Sequence, residues 1–406
     1  MEFTPESHAR RDEVAVVKEL GERMKETFGL RAEEWVEVRS KEEILATLDE
    51  NARLDGLPFM PEMLQHCGKR FKVFKRAHKT CDPPRGMHGR RMFETVHLDG
   101  VRCGGEQHGG CQHGCLIFWK EAWLKRVPSG SGVRRTVRLG HNGTRSGCSE
   151  AAVLAATVAD SEPGKNDVAD PTYVCQSTHL AEASHPLRSW DVRQYAEDVT
   201  SGNVRVSDLL RAFVFFVYSS LLTAGLGFGS AMLWAYDVVQ KARGGTPYPW
   251  RHGRIPPGMR TPFAKLDLEP NEVVRVKSYP EILATLDETS RNRGMYFDGE
   301  MVPFCGGTYS VLGRVERIID EKTGKMIDLK TDAVILDGVA CRACYSKWRK
   351  FCPRSIYPFW REIWLQRVGG GDRGQESTRA VAGRRADLRC GLPESEPATV
   401  PPEPLH

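Results

Sequence analysis

The sequence lacks the signatures by which most enzymes announce themselves. It has no Walker A loop, no Gly-x-Gly-x-x-Gly after a strand, no His-Glu-x-x-His and no Gly-x-Ser-x-Gly. These gaps give no support to P-loop phosphate, dinucleotide, zincin or serine-hydrolase chemistry. The start, Met1-Glu2-Phe3-Thr4-Pro5-Glu6, has no basic stretch followed by an apolar one, so the expectation is a cytoplasmic chain. Charge of one sign is also scarce: the net charge is +5 over 406 residues, which gives no argument for nucleic acid as partner.

What is present is a stretch written twice. Copy one runs from Glu37-Val38-Arg39-Ser40 through Ile44-Leu45-Ala46-Thr47-Leu48-Asp49, Cys67-Gly68, Leu98-Asp99-Gly100-Val101 and Cys103 to Phe118-Trp119-x-x-x-Trp123-Leu124. Copy two runs from Val274-Arg275-Val276-Lys277-Ser278 through Ile282-Leu283-Ala284-Thr285-Leu286-Asp287, Cys305-Gly306, Leu336-Asp337-Gly338-Val339 and Cys341 to Phe359-Trp360-x-x-x-Trp364-Leu365. The offset is a constant 238 from Val36 to Cys103 and becomes 241 at the tryptophans, a net insertion of three residues.

Local chemistry sketches each copy. Trp35 to Arg39 alternate as a strand, and Ser40 with Glu43 makes a Ser-x-x-Glu capping box that Ser278 and Glu281 repeat. Further strands are expected at 71–75, 94–98, 311–315 and 333–336, with turns at Asp99-Gly100 and Asp337-Gly338. Tryptophans four apart share a helical face, so a helix is expected there, its indoles packed over the core rather than exposed to a ligand. Glu121 and Glu362 then read as members of surface charge pairs. The predicted class is α+β: two small β-modules joined by a mainly helical middle.

On its Val-x-Val opening strand and overall size, each copy resembles an SH3-like barrel of the kind seen in translation-associated and nitrile-hydratase β-type domains. The paired motif set is similar to uncharacterised bacterial proteins with the same tandem cysteine layout, a likeness that implies no activity. The expected organisation is an N-terminal helix (1–30), repeat 1 (31–128), a flexible linker (129–170), the helical middle (171–260), repeat 2 (261–369) and a disordered tail (370–406). The linker holds a local basic patch, Arg134-Arg135 and Arg138, and an Asn142-Gly143-Thr144 sequon without a secretion signal to give it meaning.

Twelve cysteines in a chain expected to be cytosolic point to metal ligands or reactive thiols before disulfides. Copy one offers Cys67, Cys103, Cys111 and Cys115; copy two offers Cys305, Cys341, Cys344 and Cys352. Copy two has no histidine, so the expected sites are all-thiolate, although His108 and His113 stand in the ligand loop of copy one and could replace a cysteine. Cys81, Cys148 and Cys175 have no counterparts and are left out of the set. Four thiolates make a closed site, for which structural Zn²⁺, two per chain, is the default. An iron–sulfur cluster takes the same ligands, and unmetallated core or redox thiols are the third reading.

In the middle, Ala212 to Tyr236 is a run of 25 residues without charge, interrupted by Gly225, Gly227 and Gly229 and followed by Lys241, Arg243, Arg251, Arg254 and Arg260. It reads as two helices, buried in protein or lying in a membrane interface, with peripheral membrane contact through 208–243. The functional expectation is a non-enzymatic binding or scaffolding protein with a protein partner. The alternative is a metalloenzyme or iron–sulfur oxidoreductase working at the cleft between the repeats and the middle.

Overall fold

The computed structural model of the chain describes residues 29–86, 88–127, 148–159, 170–224, 227–346 and 349–368. The expected N-terminal helix up to residue 28, the Arg134-Arg135-Arg138 patch, the Asn142 sequon and the tail with Cys390 lie outside them.

The class is mixed α+β. Two five-stranded antiparallel sheets carry the architecture, and they have one topology. In the first, Trp35–Val38 lies between Arg70–Arg76 and Leu124–Arg126; beyond Arg70–Arg76 come Thr95–Arg102 and Leu116–Lys120. In the second, Val273–Val276 lies between Thr308–Arg314 and Leu365–Arg367, followed by Ala333–Leu336 and Trp360–Arg361. Each sheet has a register shift at the same place, Val73/Lys75 in one and Val311/Gly313 in the other. Both capping boxes form: Ser40 N–H donates to Glu43 Oε2 at 3.0 Å, and Ser278 N–H to Glu281 Oε2 at 2.8 Å.

The tryptophan stretch is not a helix. Leu116–Lys120 is a strand, Glu121–Trp123 a 3₁₀ turn and Leu124–Arg126 a strand, and copy two repeats this with Trp360–Arg361, Glu362–Trp364 and Leu365–Arg367. A strand running into one tight turn also returns residue i+4 to the face of residue i, so the spacing alone does not choose between them. All four indoles are fully buried. Phe59 meets Trp119 and Trp123 edge-on at 6.5 and 5.2 Å; Phe297 meets Trp360 and Trp364 at 6.1 and 5.2 Å. Trp123 Nε1 donates to Thr47 Oγ1 at 3.1 Å and Trp364 Nε1 to Thr285 Oγ1 at 3.0 Å, which satisfies the one polar atom each ring brings inside.

Glu121 and Glu362 also do more than decorate a surface. Glu121 pairs with Arg76 at 3.0 Å and Glu362 with Arg314 at 3.2 Å, and each arginine donates to a leucine carbonyl, Leu30 at 3.2 Å and Leu268 at 3.0 Å. The Glu362 side chain is wholly buried and accepts the N–H groups of Leu266, Asp267 and Leu268. Four donors around one carboxylate are what make a buried charge tolerable.

The middle is helical where the sequence suggested, with Arg193–Thr200, Val206–Thr223 and Gly229–Ala242. Within the expected linker, Glu150–Ala155 is a short helix whose Val153 enters the first core.

Replacing Thr285 or Thr47 with Val should cost about 2 kcal/mol each, since the hydroxyl also donates to the Ile282 or Ile44 carbonyl and two hydrogen bonds are lost. Phe297→Ala should cost roughly 3–5 kcal/mol, because it opens a cavity between two indoles. Denaturant unfolding measures both, and Thr→Val substitutions without effect would remove the indole bonds from the account.

Candidate metal centre

Four cysteines line one small cavity. Cys103, Cys111, Cys115 and Cys175 line a space of about 30 Å³, together with His113, Ser177 and Glu321. That volume holds a single water or ion. Three of these thiols are among those expected in copy one; the fourth is not.

Cys67 does not line the cavity. It packs against the first core, and its neighbouring charges are Glu42, Lys41 and Glu150. The repeated Cys-Gly dipeptide has a backbone reason. Gly68 and Gly306 have φ of 73° and 78°, the left-handed region that glycine enters at no steric cost, and their N–H groups donate to Val38 and Val276 at 3.0 and 2.9 Å.

Cys175 is brought in by its neighbour. The buried Gln176 side chain accepts from Phe118 N–H at 2.8 Å and donates to Phe118 O at 2.9 Å and Pro58 O at 3.1 Å. It docks like an extra strand residue on the edge of the Leu116–Lys120 strand. Having no counterpart in copy two, Cys175 was left out of the set read from the sequence.

The sulfurs have hydrogen-bond partners suited to thiolates. Ile319 N–H donates to Cys111 Sγ at 3.4 Å, and Ser177 Oγ lies 3.5 Å from Cys115 Sγ. Burial pushes the thiols up, to about 12 at Cys115 and about 11 at Cys175, with Glu321 adding to the effect at Cys115. Such groups stay neutral in the absence of a cation, and a bound divalent ion would stabilise the thiolates.

Two closer groupings of mixed donors border the same space. His113, Cys115 and Glu321 have donor atoms within 4.8 Å of one another, as do Glu62, Cys103 and His108. In the second, both ring nitrogens of His108 face oxygen: Nδ1 is 2.7 Å from Glu62 Oε1 and Nε2 is 3.0 Å from Val174 O. His108 therefore works as a strut between the loop and the middle segment. His113 stays a possible nitrogen ligand.

Sequence reasoning missed Glu62 and its counterpart Glu300, although they obey the same offset of 238. Glu300 is buried and accepts the N–H groups of Cys344 at 3.0 Å, Tyr345 at 2.6 Å and Ser346 at 3.0 Å. Each carboxylate thus fastens the cysteine loop of its own copy. Burial and the neighbouring Asp298 raise the Glu300 carboxyl above its ordinary range. Burial also pushes Glu62 up, but the hydrogen bond and charge of His108 leave it lowered.

The thiols of copy two divide. Cys341 and Cys352 join Cys81, which comes from the Lys79–Asp82 strand of copy one. Cys305 and Cys344 line a different, larger cavity, and Cys344 is not among the free thiols of the described residues. The Cys81 thiol is lowered to about 6 by its hydrogen bond with Cys352, then by the guanidinium groups of Arg354 and Arg349.

No family model matches the chain, and neither a curated protein nor a solved structure does. The reading of the site rests on its own geometry.

Elemental analysis of protein purified without added metal should find zinc, and Cys175→Ser and Cys111→Ser should each lower it by about one ion per chain. If Cys67→Ser removes the metal and Cys175→Ser does not, the centre lies where the spacing alone put it. Iron with sulfide and visible absorbance would replace zinc with a cluster.

Proposed function

We propose that the chain is a non-enzymatic binding protein, in which zinc-stapled repeats hold a helical hairpin against an anionic membrane surface. The observation that carries this reading is the exposure of the hairpin Val206–Thr223 and Gly229–Ala242. Its Phe213, Val214 and Leu210 are 60%, 59% and 62% exposed, Phe228 and Trp234 70% each, and Phe216, Val217, Leu221, Val238 and Val239 more than 40%. By length and composition alone Val206–Thr223 could cross a bilayer, and only 17% of it is buried.

The opposite face is tethered. Ala212 packs with Val204 and Phe351, and Ser219 Oγ lies 3.0 Å from Tyr248 Oη. An apolar array of side chains anchored from behind and, among the described residues, unpartnered in front suits an interface better than a span. The exposed cations Arg205, Lys241, Arg243 and Arg260 flank it in sequence, each worth about 1 kcal/mol near an anionic leaflet. Each apolar side chain that leaves water fully is worth about 1.5–3 kcal/mol. Apolar burial should therefore dominate and charge should assist.

The scaffold reading has two supports. The order of the five strands, with the first between the second and the fifth and a 3₁₀ turn before the fifth, is what an SH3-like module would have. The cavity of Cys103, Cys111, Cys115 and Cys175 would take one structural zinc, and the cluster of Cys81, Cys341 and Cys352 would contribute to a second.

Flotation with vesicles containing about a third anionic lipid should carry the wild-type chain upward, and Phe213→Ser with Trp234→Ser should leave it below. Added salt should reduce binding without abolishing it, since the apolar part is not screened. A chain that never floats, or a stable dimer in which Trp234 is shielded, would mean that the bilayer is the wrong occupant.

A further inference from the structure

Behind the hairpin, between its inner face and the second repeat, lies a cavity of about 830 Å³. It is separate from the thiol cavity; Leu210, Val214 and Arg243 border both it and the bilayer contact proposed above, whereas Trp234 and Phe213 do not line it. Its size falls within the roughly 300–1,000 Å³ that small-molecule sites occupy. The two helices supply one wall. The turn after them, the segments around Ser278 and Val302 to Gly306, and the loop of Arg342, Cys344 and Tyr345 supply the rest.

The lining has two chemical features. Its apolar part is aromatic: Phe215 lies 5.2 Å from Tyr345 and 6.1 Å from Tyr236, and Tyr218 lies 5.6 Å from Tyr236, ring centre to ring centre. Its charged part is of one sign, for among the described residues Arg211, Arg243 and Arg342 line the space and no aspartate or glutamate does. Arg211 is held by Asp208 at 3.2 Å, and Arg342 stacks on Phe304 at 4.9 Å. Arg243 follows the last turn of the second helix and is exposed. Lys350 stands behind Phe215 at 5.6 Å and adds to the positive field.

We propose that this cavity binds a single-chain anionic amphiphile, an alkyl or acyl chain ending in a phosphate or carboxylate. The chain would lie along the aromatic wall and the anion would meet Arg243. Aromatic walls reward an apolar body that leaves water. A guanidinium offers paired donors that match the geometry of phosphate and carboxylate. A cavity whose charges are cations favours an anion over a neutral ligand of the same shape and would repel a cationic one.

The test uses the full chain and isothermal titration calorimetry without vesicles. Dodecyl phosphate, below the concentration at which it forms micelles, should bind saturably at one site. Dodecanol, with the chain but no charge, should bind more weakly, and inorganic phosphate, with charge but no chain, should give no signal. Arg243→Gln, a change at an exposed position, should weaken dodecyl phosphate about tenfold, as expected for one charge-assisted contact. Trp234→Ser alters the outer surface and not the cavity, so it should bind dodecyl phosphate like the wild type even if vesicle binding is lost or never existed. Equal binding of dodecanol, equal binding of inorganic phosphate, an unchanged Arg243→Gln chain, loss of binding in Trp234→Ser, or no binding of dodecyl phosphate would each overturn the proposal.

Discussion

The packing of the two repeats against each other depends on one buried arginine. Arg354 is 2% exposed and donates to three acceptors: Cys81 O at 3.1 Å, Ser177 Oγ at 2.9 Å and Glu321 Oε1 at 2.6 Å. These come from the first repeat, the middle segment and the second repeat. An unpaired guanidinium at such a site would carry a desolvation cost of several kcal/mol, so the three segments must arrive together for any of them to be satisfied. Ser177 and Glu321 also line the thiol cavity. Arg102 extends the seam, donating to Gly114 O at 2.8 Å and Ser355 O at 2.9 Å while stacking 3.7 Å from the Tyr357 ring centre. The junction is polar and specific, where a merely apolar contact could slide.

This explains which parts of the molecule were legible in its sequence. Much of what each copy does for itself could be read, because the duplication printed it twice: the opening strand, the capping box, the Asp-Gly turn and the indoles in the core, though not Glu62 and Glu300. Even the Arg76–Glu121 and Arg314–Glu362 pairs were there in the alignment, hidden only because glutamates beside basic residues usually sit in water. What one copy does for the other could not be read that way. Cys81, Cys175 and Arg354 act across the junction, and a comparison of copy with copy discards such residues as unmatched. The tryptophan stretch failed for another reason. A spacing of four fits both a helix and a strand closed by a 3₁₀ turn, and the strand is preferred because its ladder to Thr95–Arg102 pairs backbone groups that would otherwise be buried unpaired.

The two copies also show how one requirement can be met by different chemistry. A carboxylate from the same position, Glu62 or Glu300, fastens each cysteine loop. In copy two it accepts three backbone N–H groups. In copy one it accepts one backbone N–H, from Gln107 at 3.3 Å, and the His108 ring at 2.7 Å. The histidine supplies donors that the other loop finds in its own backbone. Copy two can therefore lack a counterpart of His108 without having lost a ligand. The contrast in histidine content, taken from sequence as evidence about metal chemistry, is at least partly about how a loop is held down.

A scaffold held this firmly has a consequence for the hairpin. Its inner face is fixed by Phe351 from the second repeat and Tyr248 from the connecting segment, so its outer apolar face cannot fold back into a core. The helices are also parted from that repeat widely enough to leave the cation-lined cavity between them. Apolar surface in water and a sizeable space inside both cost stability, the first through the hydrophobic effect and the second through lost dispersion contacts. Two such costs in one element, beside sheets whose cores are closed around four indoles, are what the binding role proposed for the hairpin would account for.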